Sequence, residues 1–156
     1  MKIAFVSQRC GHEVNGGAEL VCRELATQLI GQFEIEILTT CALDYVTWED
    51  HYKLGVETLD KVKIRRFSVE KNRDITKFDH LSAELHPIRK TASLDQQIEW
   101  MKQQGPYAPE LFSYIEQNKE EYDLFVFFGY LYAQTYFGLT SVADKSILVP
   151  FCMMNG

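Results

Sequence analysis

The chain opens on Lys2-Ile3-Ala4-Phe5-Val6-Ser7, a short β-branched and aromatic run with no polar alternation. Such a run predicts a strand buried on both faces. A polar loop with glycines, residues 8–17, follows it. Beyond the loop, Ala18, Val21, Cys22, Leu25, Ala26 and Leu29 recur at helical spacing and predict one apolar stripe, with Gly31 as the stop. Residues 33–38 alternate Phe33, Ile35 and Ile37 against Glu34 and Glu36, the pattern of a second strand with a polar face. Strand, loop, helix and strand together have the length of a right-handed βαβ crossover.

The rest of the chain keeps alternating between the two periods. Residues 41–60 read as an irregular excursion with a short strand at 55–58. Residues 62–69 predict a third main strand near a sheet edge, because Arg65 and Arg66 break its alternation. A helix is expected over 75–85. Another is expected over 93–103, with Ser93 and Gln96 as a capping box and Leu94, Ile98 and Met101 as its stripe. Pro109 opens a further helix to about 120 with Leu111, Phe112 and Ile115 inward. Residues 123–128 predict the fourth main strand, 130–139 an aromatic helix and 146–151 the fifth main strand. This order predicts an α/β fold with a Rossmann-like, doubly wound, mostly parallel sheet over 1–156 as one domain. The apolar last strand has no helix after it within the chain. That predicts an uncovered sheet face able to self-associate, and a chain that is part of something larger.

Composition narrows the function classes. The 156 residues carry a formal net charge of -6, with 46% hydrophobic and 13% aromatic residues. The aromatic mass predicts a folded core, and the acidic balance argues against nucleic acid or anionic membrane as a partner. No apolar run reaches the length of a membrane span, and the N-terminus lacks the pattern of a secretory signal, so a soluble cytoplasmic protein is expected. Cys10, Cys22, Cys41 and Cys152 form no C-x-x-C pair and read as free thiols, without a zinc site.

Parallel sheets bind ligands beyond the carboxyl ends of their strands. Three segments fall there: residues 8–17, 129–136 and 152–156. Gly11 and Gly16 have Walker A spacing, but Gly17 and Ala18 stand where a P-loop needs Lys and Ser or Thr. What remains is Gly16-Gly17 at a helix N-terminus, either an anion contact or a tight turn capped by Asn15. Cys10, His12 and Glu13 form the one cluster of reactive side chains, read as a catalytic pair, a substrate contact or a polar surface loop. Neither H-x-E nor H-E-x-x-H is present. Tyr130 and Tyr132, in an aromatic run that also suits a core, are candidates for sugar stacking. His51, His80 and His86 read as surface residues.

MKIAFVSQRC-x-x-x-x-N-GGAELVCRELATQLI followed by EIEILTT resembles the opening of the retaining GT-B glycosyltransferases of family 4. The matching pieces are Gly16-Gly17-Ala18-Glu19 and Leu25-Ala26-Thr27-Gln28-Leu29, with QGPYAPELFSYI, YDLFVFFGYLYAQTYFGL and KSILVPF further on. The resemblance implies the N-terminal, acceptor-side half of such an enzyme. The nucleotide-sugar donor would bind mainly to a C-terminal domain absent from this chain. It implies metal-independent transfer with retention to an acceptor, glycan or small molecule, and no cofactor beyond the donor substrate. Gly16 and Gly17 would contact the donor diphosphate, and His12, Asn15, Tyr130 and Tyr132 are the acceptor-side candidates. The family's strand-tip histidine corresponds to Gly129-Tyr130, and a later one to Met153-Met154, so no catalytic residue is assigned. The chain alone is expected to be inactive. The alternatives are a stand-alone glycan- or nucleotide-binding module and an assembly partner of a separate catalytic chain.

Overall fold

A computed structural model describes residues 1–151. The first strand, β1 (Lys2–Val6), lies in the middle of a six-stranded sheet. Helix α1 (Gly17–Leu29) carries the chain back to β2 (Glu34–Thr40), which pairs with β1 in parallel. The excursion after β2 delivers β3 (Gly55–Leu59), which turns into β4 (Val62–Phe67) as the sheet's one antiparallel pair. Helices α2 (Ile75–Leu85), α3 (Leu94–Gln104) and α4 (Pro109–Asn118) then bring the chain across to β5 (Leu124–Phe128) on the other side of β1. Helix α5 (Ala133–Gly138) and a 3-10 segment (Leu139–Lys145) lead to β6 (Ser146–Val149). The order β3-β4-β2-β1-β5-β6 is a Rossmann-like, doubly wound α/β sheet, and it reverses direction between β1 and β5.

The two faces of β1 separate the core into two layers. Ile3 and Phe5 pack with Cys22 and Ala26 of α1 and with Ile35, Ile37, Ile64 and Phe128. Ala4 and Val6 pack on the opposite side with Leu111 and Ile115 of α4 and with Phe125 and Phe127. The capping box of α3 is present, since Ser93 Oγ accepts from Gln96 N and Gln96 Oε1 accepts from Ser93 N. Pro109 stands in the first turn of α4, where its missing N–H costs no helical bond.

Several expectations are corrected. Strand β4 ends at Phe67 rather than Val69, and β3 covers its edge. Arg66 is buried there and is held by the exposed Glu57 carboxylate, so the broken alternation marks a buried guanidinium paired across the β3–β4 edge rather than a solvent-facing one. Glu36 does not face water either. It is buried, with Arg65 Nε at 2.7 Å and Lys63 Nζ at 3.3 Å. Val21 lies exposed, off the buried side of α1, and Leu94 is exposed on α3. The aromatic helix begins at Ala133, which leaves Tyr130 and Tyr132 in a turn at the tip of β5.

Among the described residues, the expected uncovered apolar surface falls at β6, the edge strand beside β5. Ile147, in register with buried Val126, is 50% exposed, and Leu148 is 40% exposed. Helix α2 packs against α3, and among the described residues it does not cover this edge. Among the described residues, no helix is long and apolar enough to cross a membrane.

Candidate functional site

The crevice where the strand order reverses is an open cleft of about 730 Å³. It is lined from the β1–α1 loop and α1's first turn by Gln8, Arg9, Glu13, Asn15, Gly16, Gly17, Ala18 and Glu19. The segment after β2 contributes Leu43, Asp44 and Tyr45. The tip of β5 contributes Gly129 to Tyr132, and Phe151 adds an apolar corner. Such a crevice beyond the strand ends is where an open α/β sheet takes its ligand.

The β1–α1 loop is held from beneath. Ser7 N donates to Leu38 O at 3.2 Å, and Thr40 Oγ1 donates to Gln8 O at 2.6 Å. Arg66 reaches up from β4 and donates through Nη1 to Cys10 O at 2.6 Å. Its guanidinium lies 3.9 Å from the centre of the Tyr52 ring. Arg23 of α1 donates to Gly11 O. The loop is therefore a preformed support rather than a free excursion.

At the start of α1 the N-cap is Gly16, and no side chain caps the helix. Asn15 lines the cleft instead of capping, which corrects the turn reading. The two glycines differ in kind. A Cβ on Gly16 would fall 1.8 Å from Glu19 Oε2, whereas a Cβ on Gly17 would meet nothing within 4 Å. Glu19 is fixed there by Arg9, whose Nε and Nη2 stand 2.9 Å and 2.8 Å from its Oε1. Arg9 Nη1 donates to Leu43 O at 2.7 Å. Arg9, the one cationic side chain lining the cleft among the described residues, is thus buried and engaged.

The remaining charge at the cleft is negative. Glu13 accepts from the Tyr52 hydroxyl at 2.6 Å, and this bond holds its carboxyl below the usual carboxylate range. Asp44 accepts from Thr47 Oγ1 and from the Thr47 and Val46 amides, and these bonds lower its pKa too. Both stay ionised at neutral pH. Tyr132 closes the opposite wall and packs edge-on against Trp48, with ring centres 5.5 Å apart. Burial, and next the Glu19 charge, push its phenol pKa up, so it remains a neutral donor. Trp48 is buried in the left-handed backbone region at φ 59°, unusual for a bulky residue, and donates Nε1 to Gln104 O at 2.8 Å. Gly129, at φ 85°, supplies the turn that brings Tyr130 to the cleft.

Asn15, Gly16, Gly17, Tyr130 and Tyr132 are therefore brought to one cleft. His12 is not. It points away to the β3–β4 turn, where its Nε2 lies 2.8 Å from Asp60 Oδ2, and this corrects its place among the acceptor-side candidates. The Cys10–His12–Glu13 cluster also disperses. Cys10 is buried, and burial pushes its thiol up to about 11, so a Cys–His pair has no support. Cys22 and Cys41 are buried free thiols, while Cys152 and the 152–156 segment lie outside the described residues. His51, His80 and His86 are exposed, as expected. Gln8, Arg9, Asp44 and Tyr45 were not legible as site residues. The one available signal was that 8 and 9 follow a central strand directly.

Comparison with known proteins gives no match: no family model, no curated protein and no solved structure aligns with this chain.

Proposed function

We propose that this chain is the acceptor-side, Rossmann-like half of a retaining glycosyltransferase that works with a donor-binding domain. The observation supporting this reading is the composition of the switch-point cleft. An uncapped helix N-terminus at Gly16-Gly17 stands beside tyrosines, side-chain amides and two ionised carboxylates. Tyrosine faces and edges pack against sugar rings, while carboxylates and amides bond hydroxyls. The free backbone N–H groups at Gly17 and Ala18 suit an anionic oxygen, such as one of a nucleoside diphosphate. The reaction would join an acceptor oxygen to the anomeric carbon and break the bond from that carbon to the diphosphate. The acceptor proton would leave on the departing phosphate. No side chain is assigned to catalysis.

The second reading is a glycan-binding module without turnover. It is favoured by the closed Arg9–Glu19 pair, which leaves no free cationic side chain lining the cleft among the described residues for a phosphate. Saturation-transfer NMR on the full chain tests both readings, with UDP-glucose, GDP-mannose and their methyl glycosides as probes. Sugar-ring protons should receive saturation, and Tyr132→Ala should abolish it. Nucleotide sugars should gain affinity over the glycosides on the first reading and none on the second. Absence of saturation on every sugar ring would sink both. Incubation with the same donors should yield no transfer product by mass spectrometry, and turnover by the chain alone would refute the requirement for a second domain.

A further inference from the structure

Gln8 and Gln134 stand 126 positions apart in the chain and meet under the cleft. Gln134 Nε2 donates to Gln8 Oε1 at 3.1 Å and lies 3.4 Å from Phe128 O. One nitrogen facing two acceptors fixes the orientation of both amides. With its Oε1 engaged, Gln8 has only its Nε2–H₂ group left to turn elsewhere. Gln8 lines the cleft although it is only 3% exposed. Gln134 is fully buried, and its Oε1 has no hydrogen-bond partner among the described residues. A buried orphan acceptor is a standing cost that folds seldom keep without use. Here it accompanies an amide pair that leaves Gln8 Nε2–H₂ as the donor of a residue lining the cleft.

The rest of the cleft complements that floor. Its charged acceptors, Glu13 and Asp44, are ionised and form no ion pair among the described residues, and Arg9 is engaged by Glu19. Donors at the floor and acceptors on the walls match a group that both accepts and donates, which is a hydroxyl. At the Gln8 floor, away from the α1 N-terminus, a phosphate would find one amide donor and no cationic side chain, so a neutral hydroxyl suits this position better. We propose that Gln8 is a ligand-contact residue whose Nε2–H₂ donates to an oxygen of a neutral sugar ring, and that Gln134 is its positioning residue. This rests on the reading of the cleft as a glycosyl-binding site and names the ligand's chemistry at its floor.

The test follows the Gln8 side-chain NH₂ signals of the ¹⁵N-labelled full chain, identified by their loss in Gln8→Glu. The probes are methyl α-D-glucopyranoside, methyl α-D-mannopyranoside and N-acetyl-D-glucosamine, with inorganic phosphate as the control. A sugar should shift the Gln8 signals and phosphate should not. Gln8→Glu, which still offers Gln134 an acceptor, should keep its melting temperature within a few degrees and lose affinity ten-fold or more. Gln134→Glu presents an acceptor to Gln8, turns the Gln8 amide over and should lose as much affinity while shifting the NH₂ signals in the free protein. If that variant does not fold, Gln8→Glu decides alone. Sugar-induced shifts at Tyr130 and Tyr132 with Gln8 unmoved, and Gln8→Glu binding as the wild type does, would overturn the proposal but spare the glycosyl reading. No shift of any cleft resonance by any sugar would overturn both.

Discussion

Gly16→Ala and Gly17→Ala should behave oppositely, although the residues are adjacent at the start of one helix. A Cβ at Gly16 would lie 1.8 Å from Glu19 Oε2 and 2.4 Å from Glu19 Cδ. The carboxylate must therefore move, and it is buried and held by two Arg9 nitrogens within 2.9 Å. Separating a buried pair of this kind costs about 3–5 kcal/mol if nothing replaces it. A side chain that re-forms one of the two bonds recovers part of that, so about 3 kcal/mol is expected. For a chain of this size that lowers the melting temperature by ~6–12 °C. At Gly17 the Cβ enters open space and the backbone is helical, so alanine should be neutral or stabilise by up to about 1 kcal/mol through lost unfolded-state freedom. Thermal unfolding followed by circular dichroism reads both variants directly. Equal melting temperatures for Gly16→Ala and wild type would refute the steric argument. A loss at Gly17 as large as that at Gly16 would show that the first turn, not the Arg9–Glu19 pair, sets the requirement. Gly17→Val then becomes a clean probe of function, because any loss of nucleotide-sugar affinity at unchanged stability comes from space a ligand uses.

Three further outcomes are expected. With Cys152 replaced by serine, the folded chain at pH 8 should release almost no thiolate product from Ellman's reagent, because burial pushes Cys10 and Cys41 up to about 11 and raises Cys22 well above the ordinary thiol range; guanidinium should expose all three, and fast reaction in the native state would contradict their burial. Tyr52→Phe should raise the Glu13 pKa toward the ordinary carboxylate range in a ¹³C titration, because the phenol bond is the largest cause of its depression. A depressed folded pKa adds stability above the unfolded pKa that is lost as pH falls through the folded one, so the variant should lose a little stability at neutral pH and none at strongly acid pH. Sedimentation should show concentration-dependent association through β6, reduced by Ile147→Lys; strictly monomeric behaviour of the wild type would exclude it.

The alternation of periods along the chain determined the fold class, because strand and helix patterns are local. Each short run such as Ile3–Val6 or 123–128 must be buried on both faces, and the helices between them force parallel crossovers. The capping box at Ser93 and the proline at 109 were legible for the same reason: each acts within four residues. The glycines before α1 marked the loop, and its place after the first strand marked the ligand end of the sheet.

Tertiary structure decided what meets there. Arg66, Glu57, Tyr52 and Cys10 lie on separate segments, and no local pattern tells a buried arginine held by a carboxylate from an exposed one. Residue 12 turned away and residue 15 turned in because Asp60 and the N-terminus of α1 are placed by different crossovers. Gly16 and Gly17 read alike until the Arg9–Glu19 pair was seen to fill the space beside one of them. The amide pair of Gln8 and Gln134 depends most on the fold, since β1 and β5 must pair before the loop after β1 can meet the helix after β5. Strand pairing is a long-range event, and side-chain chemistry at the strand ends is set only once it is complete.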